Sequence, residues 1–298
     1  MTATDTYVNR LLEQIVELLD IPPSYYQKAA DRYRSLREWL HRDQSQVVKL
    51  NPQVYPQGSF RYGTVNRPLL KSEEYDLDLV CEVVLSKSFV SQKQVKNLVG
   101  DEIKAYAEAH GFHDPAKEKN RCWRLNYADD ISFHMDILPS IPEDQAFIAR
   151  LEQLGVPHDL AKTAVAITDK RHPKYAVIDP DWPRSNPGGF AGWFEDRMRK
   201  VAQARAMQLV MERAYASVDE VPSYEWKTPL QRSIQLLKRH RDVMFKDNRD
   251  LRPISMIITT LAAHAYEGET NLHDALSHII DRMPEFVRPS KRLCCINH

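Results

Sequence analysis

Apolar residues recur at helical spacing near the start of the chain. Tyr7, Leu11, Leu12, Ile15, Leu18 and Leu19 fall on one side of a 3.6-residue repeat, so residues 6–19 are expected to form a helix. Pro22-Pro23 interrupts the run, and Ser24 is suited to cap a second helix. That helix is expected over 25–41, with Tyr26, Ala29, Tyr33, Leu36 and Leu40 on one face. After Asn51-Pro52 the period changes. Residues 60–66 suit a short helix, and 75–85, 121–127 and 131–138 alternate or run apolar as strands do. Asp129-Asp130 supplies a hairpin turn between the last two strands, and Pro139 and Pro142 are expected to end the sheet segment. Val95, Leu98, Val99, Ile103, Tyr106 and Ala107 predict a helix over 91–110 closed by Gly111.

Beyond the strands, 143–154 reads as helix and 168–190 as a loop-rich stretch around a short strand at 175–178. Four further helices are expected at 190–214, 228–245, 254–266 and 271–283, and no internal repeat is visible. Helices, then a mixed sheet, then helices define an α+β chain in two lobes, 1–185 and 186–298, with a cleft between them.

Composition narrows the class. The 298 residues are 43% hydrophobic and 28% charged, ordinary for a soluble protein with a substantial core. No apolar run approaches the roughly 20 residues that span a bilayer. Met1-Thr2-Ala3-Thr4-Asp5 lacks the basic and apolar regions of a signal peptide, so a cytoplasmic location and no membrane partner are expected. The 4 cysteines, at 81, 122, 294 and 295, form no C-x-x-C pair and suit neither a disulfide framework nor a zinc site. Cys81 and Cys122 lie in apolar runs and are expected in the core. Lys+Arg and Asp+Glu both total 41, a balance that favours small substrates over a long polynucleotide.

The candidate chemistry lies at Gly58-Ser59 and in Glu74-Tyr75-Asp76-Leu77-Asp78-Leu79-Val80. Side chains at i and i+2 of a strand share a face, so Asp76 and Asp78 project together, with Tyr75, Leu77 and Leu79 opposite. Paired carboxylates are costly without a cation between them, and hard cations that work on phosphates take oxygen ligands. Taken alone, D-x-D is also two solvated acids on an edge strand. The preceding turn, the apolar setting and a third acid, Asp136, in a later strand favour the metal reading. Asp76 and Asp78 would bridge two Mg²⁺ ions and Asp136 would complete one site, as phosphoryl transfer requires. Gly58 lets backbone N–H groups approach phosphate and Ser59 adds a hydroxyl donor, although Ser59 also suits a helix N-cap. His134 shares a face with Asp136 and reads as a hydrogen-bonded structural residue rather than a ligand. Lys238, in a basic helix, is either solvated or faces a phosphate, and Ser255 begins a helix, where capping and phosphate binding are both open.

These residues together resemble the DNA polymerase β-like nucleotidyltransferase superfamily. Pro56-Gln57-Gly58-Ser59-Phe60-Arg61-Tyr62-Gly63-Thr64-Val65, Ser185-Asn186-Pro187-Gly188-Gly189-Phe190, Pro229-Leu230-Gln231-Arg232 and Pro253-Ile254-Ser255-Met256 are similar to the bacterial cGAS/DncV-like nucleotidyltransferases (CD-NTases) of CBASS anti-phage systems. The resemblance implies a two-lobed polymerase β-like fold and a synthase that joins NTPs into a cyclic di- or trinucleotide acting on a downstream effector. It implies a phosphate-binding turn at Gly58 and Ser59 and a metal triad of Asp76, Asp78 and Asp136. It also implies triphosphate contacts from Lys238 and Ser255, Mg²⁺ with Mn²⁺ as the alternative, and a monomer. Met256 replaces the base-stacking Tyr of some relatives, and the absence of a His/Cys zinc cluster removes the expectation of DNA activation. Relatives commonly continue past the equivalent of His298, which implies a truncated C-terminus or a missing helical element. Linear-oligonucleotide synthesis, protein or tRNA adenylylation, and NTP sensing without turnover are the competing readings.

Overall fold

A computed structural model describes residues 3–69, 73–127, 133–210 and 226–287. Cys294, Cys295, Asp129-Asp130, where a turn is expected, and residues 211–214 of the helix expected over 190–214 lie outside the described residues. In chain order the elements are α1 (Ala3–Leu19), α2 (Pro23–His41), β1 (Gln53–Gln57), α3 (Gly58–Tyr62), β2 (Tyr75–Glu82), α4 (Gln92–Ala109), β3 (Lys117–Glu118), β4 (Trp123–Tyr127) and β5 (Phe133–Pro142). They continue with α5 (Gln145–Gln153), α6 (His158–Ala161), β6 (Val165–Ile167), β7 (Arg184–Ser185), α7 (Pro187–Val210), α8 (Pro229–Met244), α9 (Ser255–Ala265) and α10 (Leu272–Arg282). Among the described residues no helix is long and apolar enough to cross a membrane.

The chain forms two compact units interleaved in sequence. One comprises Ser24–Arg61 and Leu70–Gly192, the other Met1–Pro23, Tyr62–Leu69 and Trp193–His298. The first holds the sheet, ordered β1-β2-β5-β4-β3, with β6 on β5 and β7 on β6. β2 and β5 run parallel, while β1 on β2 and β4 on β5 are antiparallel. One face of the central strands carries Leu77, Leu79, Leu125, Met135 and Ile137, all essentially fully buried. Burying each such side chain stabilises by roughly 1.5–3 kcal/mol.

α4 covers part of the sheet. Its Ser91–Gln94 capping box fixes its start. Trp123 Nε1 donates to Lys96 O at 2.9 Å. Gly100 admits that indole: a Cβ there would lie 2.2 Å from Trp123. α2 joins α4 through Trp39 Nε1, which donates to Glu102 O at 3.1 Å, and Arg42, which donates to the Glu102 carboxylate at 2.7 Å.

Three elements differ from the sequence expectation. β5 continues through Pro139 and ends only at Pro142. A proline forfeits only its donor, and Pro139 O still accepts from Thr168 N at 3.4 Å while Ser140 O accepts from Val83 N at 3.0 Å. Residues 172–177 form two successive turns, with Tyr175 N donating to His172 O and Val177 N to Lys174 O. Val177 and Ile178 are exposed, so no strand forms. The short helix after Gln57 spans Gly58–Tyr62, and the chain from 63 to 66 is irregular.

In the helical unit, Val16, Leu19 and Leu272 form a core with Leu12 and Leu236 against it, joining α1, α8 and α10. Arg232 pairs with Glu13 at 3.0 Å, and Asp20 takes Gln235 Nε2 at 2.9 Å and the buried Lys227. α8 also grips the backbone of the segment after α3. Gln231 Nε2 donates to Tyr62 O at 2.9 Å, Lys238 Nζ to Thr64 O at 2.7 Å and Gln235 Nε2 to Val65 O at 2.8 Å. Asn66 Nδ2 donates back to Gln235 O at 2.9 Å.

Candidate active site: an acid face on three strands

Strand register assembles the acids. Asp78 lies beside Asp136, and Asp136 lies across from Arg124, so one row runs β2-β5-β4 as Asp78, Asp136, Arg124. The next row is Asp76, His134, Asn126. Adjacent strands are about 4.8 Å apart, so these side chains stand as neighbours on one face. The same two-residue alternation sends Leu77, Met135 and Leu125 to the buried face.

The Gly58-Ser59 turn closes against this row. Gln57 pairs with Asp78, and the next residue, Gly58, takes φ +70°. A Cβ at Gly58 would meet Asp78 Oδ2 at 2.3 Å, so the carboxylate rests on the glycine itself. A positive φ and this approach both require glycine. Ser59 follows at the start of α3, whose Phe60 is fully buried against Tyr26 (5.5 Å between ring centroids) and Phe133 (6.0 Å). Phe133 also stacks obliquely on Tyr75 at 5.3 Å, so an aromatic cluster holds the turn and the starts of both acidic strands.

The face is electrostatically crowded. Arg124 forks onto Asp136, with Nε to Oδ1 at 2.6 Å and Nη2 to Oδ2 at 2.7 Å, and its Nη2 stands 3.7 Å from Asp76 Oδ1. Partial desolvation raises the Asp76 pKa from its ordinary value, opposed by Arg124 and reinforced by Asp136 and Glu74, although the side chain is still 60% exposed. His134 is tied at both nitrogens, to Glu74 through Nε2 and to Asn126 Oδ1 at 3.0 Å through Nδ1. That matches the structural role read from the sequence. Cys122 is only half-buried, unlike the fully buried Cys81, and is not the core residue expected. Its thiol lies beside Asp136, and burial together with that carboxylate pushes its pKa up to about 12.

Among the described residues, no group of three or more His, Cys, Asp or Glu side chains is gathered as a ready metal cage. The acid face nevertheless fits a hard cation. Its donors are carboxylate oxygens on adjacent strands, and a positive group, the Arg124 guanidinium, already stands within reach of two of them. Asp76, Asp78 and Asp136 are the residues that would hold the metal.

Gly58, Ser59, Asp76, Asp78 and Asp136 thus belong to the sheet unit, while Lys238 and Ser255 belong to the helical unit. Lys238 is 7% exposed and held by Thr64 O. Ser255 opens α9 without capping it and accepts from Arg241 Nη1 at 2.9 Å. Arg241 is itself fixed by Pro253 O at 3.0 Å and Asp242 at 2.6 Å. Sequence reading placed Arg241 only within a basic cluster and did not single out Arg124. The available signal for Arg124 was its place in an alternating strand facing the Asp136 strand.

The sheet unit thus carries three aspartates on a mixed sheet beside a glycine-led turn, the arrangement on which the resemblance to nucleotidyltransferases rests. Residues 52–139 match the family described as cyclic GMP-AMP synthase DncV-like, nucleotidyltransferase domain. The c-di-GMP synthase of Roseivirga ehrenbergii is 29% identical over 282 residues, covering 95% of this chain and 67% of that protein. The cyclic dinucleotide synthase CdnG of Bradyrhizobium diazoefficiens is 26% identical over 283 residues, covering 90% and 61%. The solved structure of the Bradyrhizobium diazoefficiens CdnG in complex with GTP shares the fold, with TM-score 0.64 and 22% identity over 92% of this chain and 75% of that one. The chain therefore spans about two thirds of the length of these curated relatives.

Proposed function

We propose that the acid face is a two-metal nucleotidyl-transfer centre and that the protein joins NTPs into a cyclic di- or trinucleotide. That product would signal to a downstream effector in anti-phage defence. The observation that carries the reading is the register: Asp78 beside Asp136, with Asp76 two residues along the same strand. Two relatives named as cyclic dinucleotide synthases support cyclisation, and the GTP bound by CdnG makes GTP the first substrate to test.

The reaction is attack of a ribose hydroxyl on an α-phosphate with release of pyrophosphate. When bound, Mg²⁺ neutralises the triphosphate and lowers the pKa of that hydroxyl, with Mn²⁺ the substitute. Asp76, Asp78 and Asp136 hold the cations and so set where charge is neutralised. The backbone of Gly58 and the hydroxyl of Ser59 donate to phosphate oxygens. Lys238 and Ser255, the latter held by Arg241, are the helical unit's candidate contacts to a triphosphate.

The test is incubation with labelled ATP, GTP and Mg²⁺, followed by phosphatase treatment and thin-layer chromatography. A phosphatase-resistant product from the wild type and none from Asp78→Asn is expected. A phosphatase-sensitive product would mean linear synthesis instead. NTP binding without pyrophosphate release would make the protein a sensor, and full activity in Asp78→Asn would overturn the metal assignment.

A further inference from the structure

The guanidinium on Asp136 has a consequence for metal loading. Arg124 occupies both oxygens of that carboxylate, at 2.6 and 2.7 Å, from the strand position directly opposite. The pair is sheltered, with side chains 24% and 18% exposed, so water screens it less than a surface pair. The fork is planar and two-pronged, matching a carboxylate with both lone-pair edges engaged. A cation that takes Asp136 as a ligand must first remove at least one prong. The same guanidinium stands 3.7 Å from Asp76, so its charge also opposes a second cation between Asp76 and Asp136.

We propose that Arg124 is the resident counter-cation of the acid face, occluding Asp136 in the metal-free protein and thereby weakening its affinity for divalent metal. This rests on the reading of Asp76, Asp78 and Asp136 as metal ligands. Arg124 is a positioning residue here: it acts through Asp136, and it keeps three neighbouring carboxylates compatible with a folded sheet until metal replaces it. Loading is then an exchange of one cation for another, and free metal at low concentration leaves the site closed.

The test is titration of the nucleotide-free protein with Mn²⁺ alone, following loss of the free-ion electron paramagnetic resonance signal. Arg124→Gln, which removes charge and fork, should bind Mn²⁺ at least tenfold more tightly than the wild type. Arg124→Lys keeps the charge but loses the two-pronged grip, and should bind at an intermediate affinity. It also covers the case in which Arg124→Gln does not fold, which circular dichroism and thermal melts would show. If Arg124→Lys matches the wild type, the effect is one of net charge and occlusion is wrong. If both variants bind as weakly as the wild type, or more weakly, the proposal also fails. Asp78→Asn and Asp136→Asn separate this from failure of the underlying reading: if neither weakens Mn²⁺ binding, the acid face is not the metal site at all.

Discussion

The two faces of β2 and β5 are made by the same strands in the same register, yet they obey opposite demands. On one face Leu77, Leu79, Met135 and Ile137 exclude water and are nearly fully buried. On the other, Asp76, Asp78 and Asp136 stand as neighbours, with the Arg124 guanidinium paired to Asp136. The first face stabilises the sheet; the second gathers carboxylates around the Arg124 guanidinium. Alternation lets one eight-residue strand, Tyr75–Glu82, do both.

Substitutions on either face separate the two demands. The largest effect is expected from Asp78→Asn, which should reduce cyclic product by roughly three orders of magnitude or more while leaving the melting temperature unchanged or raised. Kinetics paired with a thermal melt would measure both, and loss of fold with loss of activity would erase the distinction between faces. Gly58→Ala comes next. The positive φ alone costs a non-glycine residue about 1–2 kcal/mol. The Cβ also drives into Asp78, so misplacing that carboxylate should cost on the order of 100-fold in kcat/KM.

Leu77→Ala should show the reverse signature. Truncating a fully buried leucine costs about 2–5 kcal/mol of stability by urea denaturation, with specific activity per folded molecule retained. The smallest effect concerns pH. Partial desolvation and the neighbouring acids raise the Asp76 pKa in the folded state above its unfolded value. The folded state therefore binds the proton more tightly, and stability falls as pH rises through the interval between the unfolded and folded pKa values. Asp76→Asn should consequently be slightly more stable than the wild type at neutral pH. That advantage should vanish on acidification below the ordinary aspartate range, as thermal melts at several pH values would show.

Much of this was legible in the chain. The i, i+2 spacing of Asp76 and Asp78 fixed their shared face, and the longer helices followed their apolar period. What escaped depended on partners distant in sequence. Arg124 looks like any basic residue in an alternating strand until register sets it opposite Asp136. Gln231 and Gln235 carry no local signal of burial, yet both are buried because they bind backbone across some 170 residues of sequence. Pro139 reads as a strand breaker, but its carbonyl alone suffices at that point of β5. The assignment of Met1–Pro23 and Tyr62–Leu69 to the helical unit likewise depends on long-range packing that local periodicity does not encode.

The grip of α8 on residues 62–65 has a consequence for how this protein can change. Gln231, Lys238 and Gln235 address the carbonyls of Tyr62, Thr64 and Val65, which every amino acid possesses. At these three bonds the held segment contributes its path and not its spelling. Side chains there can be exchanged without loss of these bonds, provided the backbone keeps its course. The helix has no such freedom, since each of its three donors must be long, polar and placed on the same side. Variation and constraint are thus divided unequally across a single contact: one partner retains freedom of identity because the other has surrendered it.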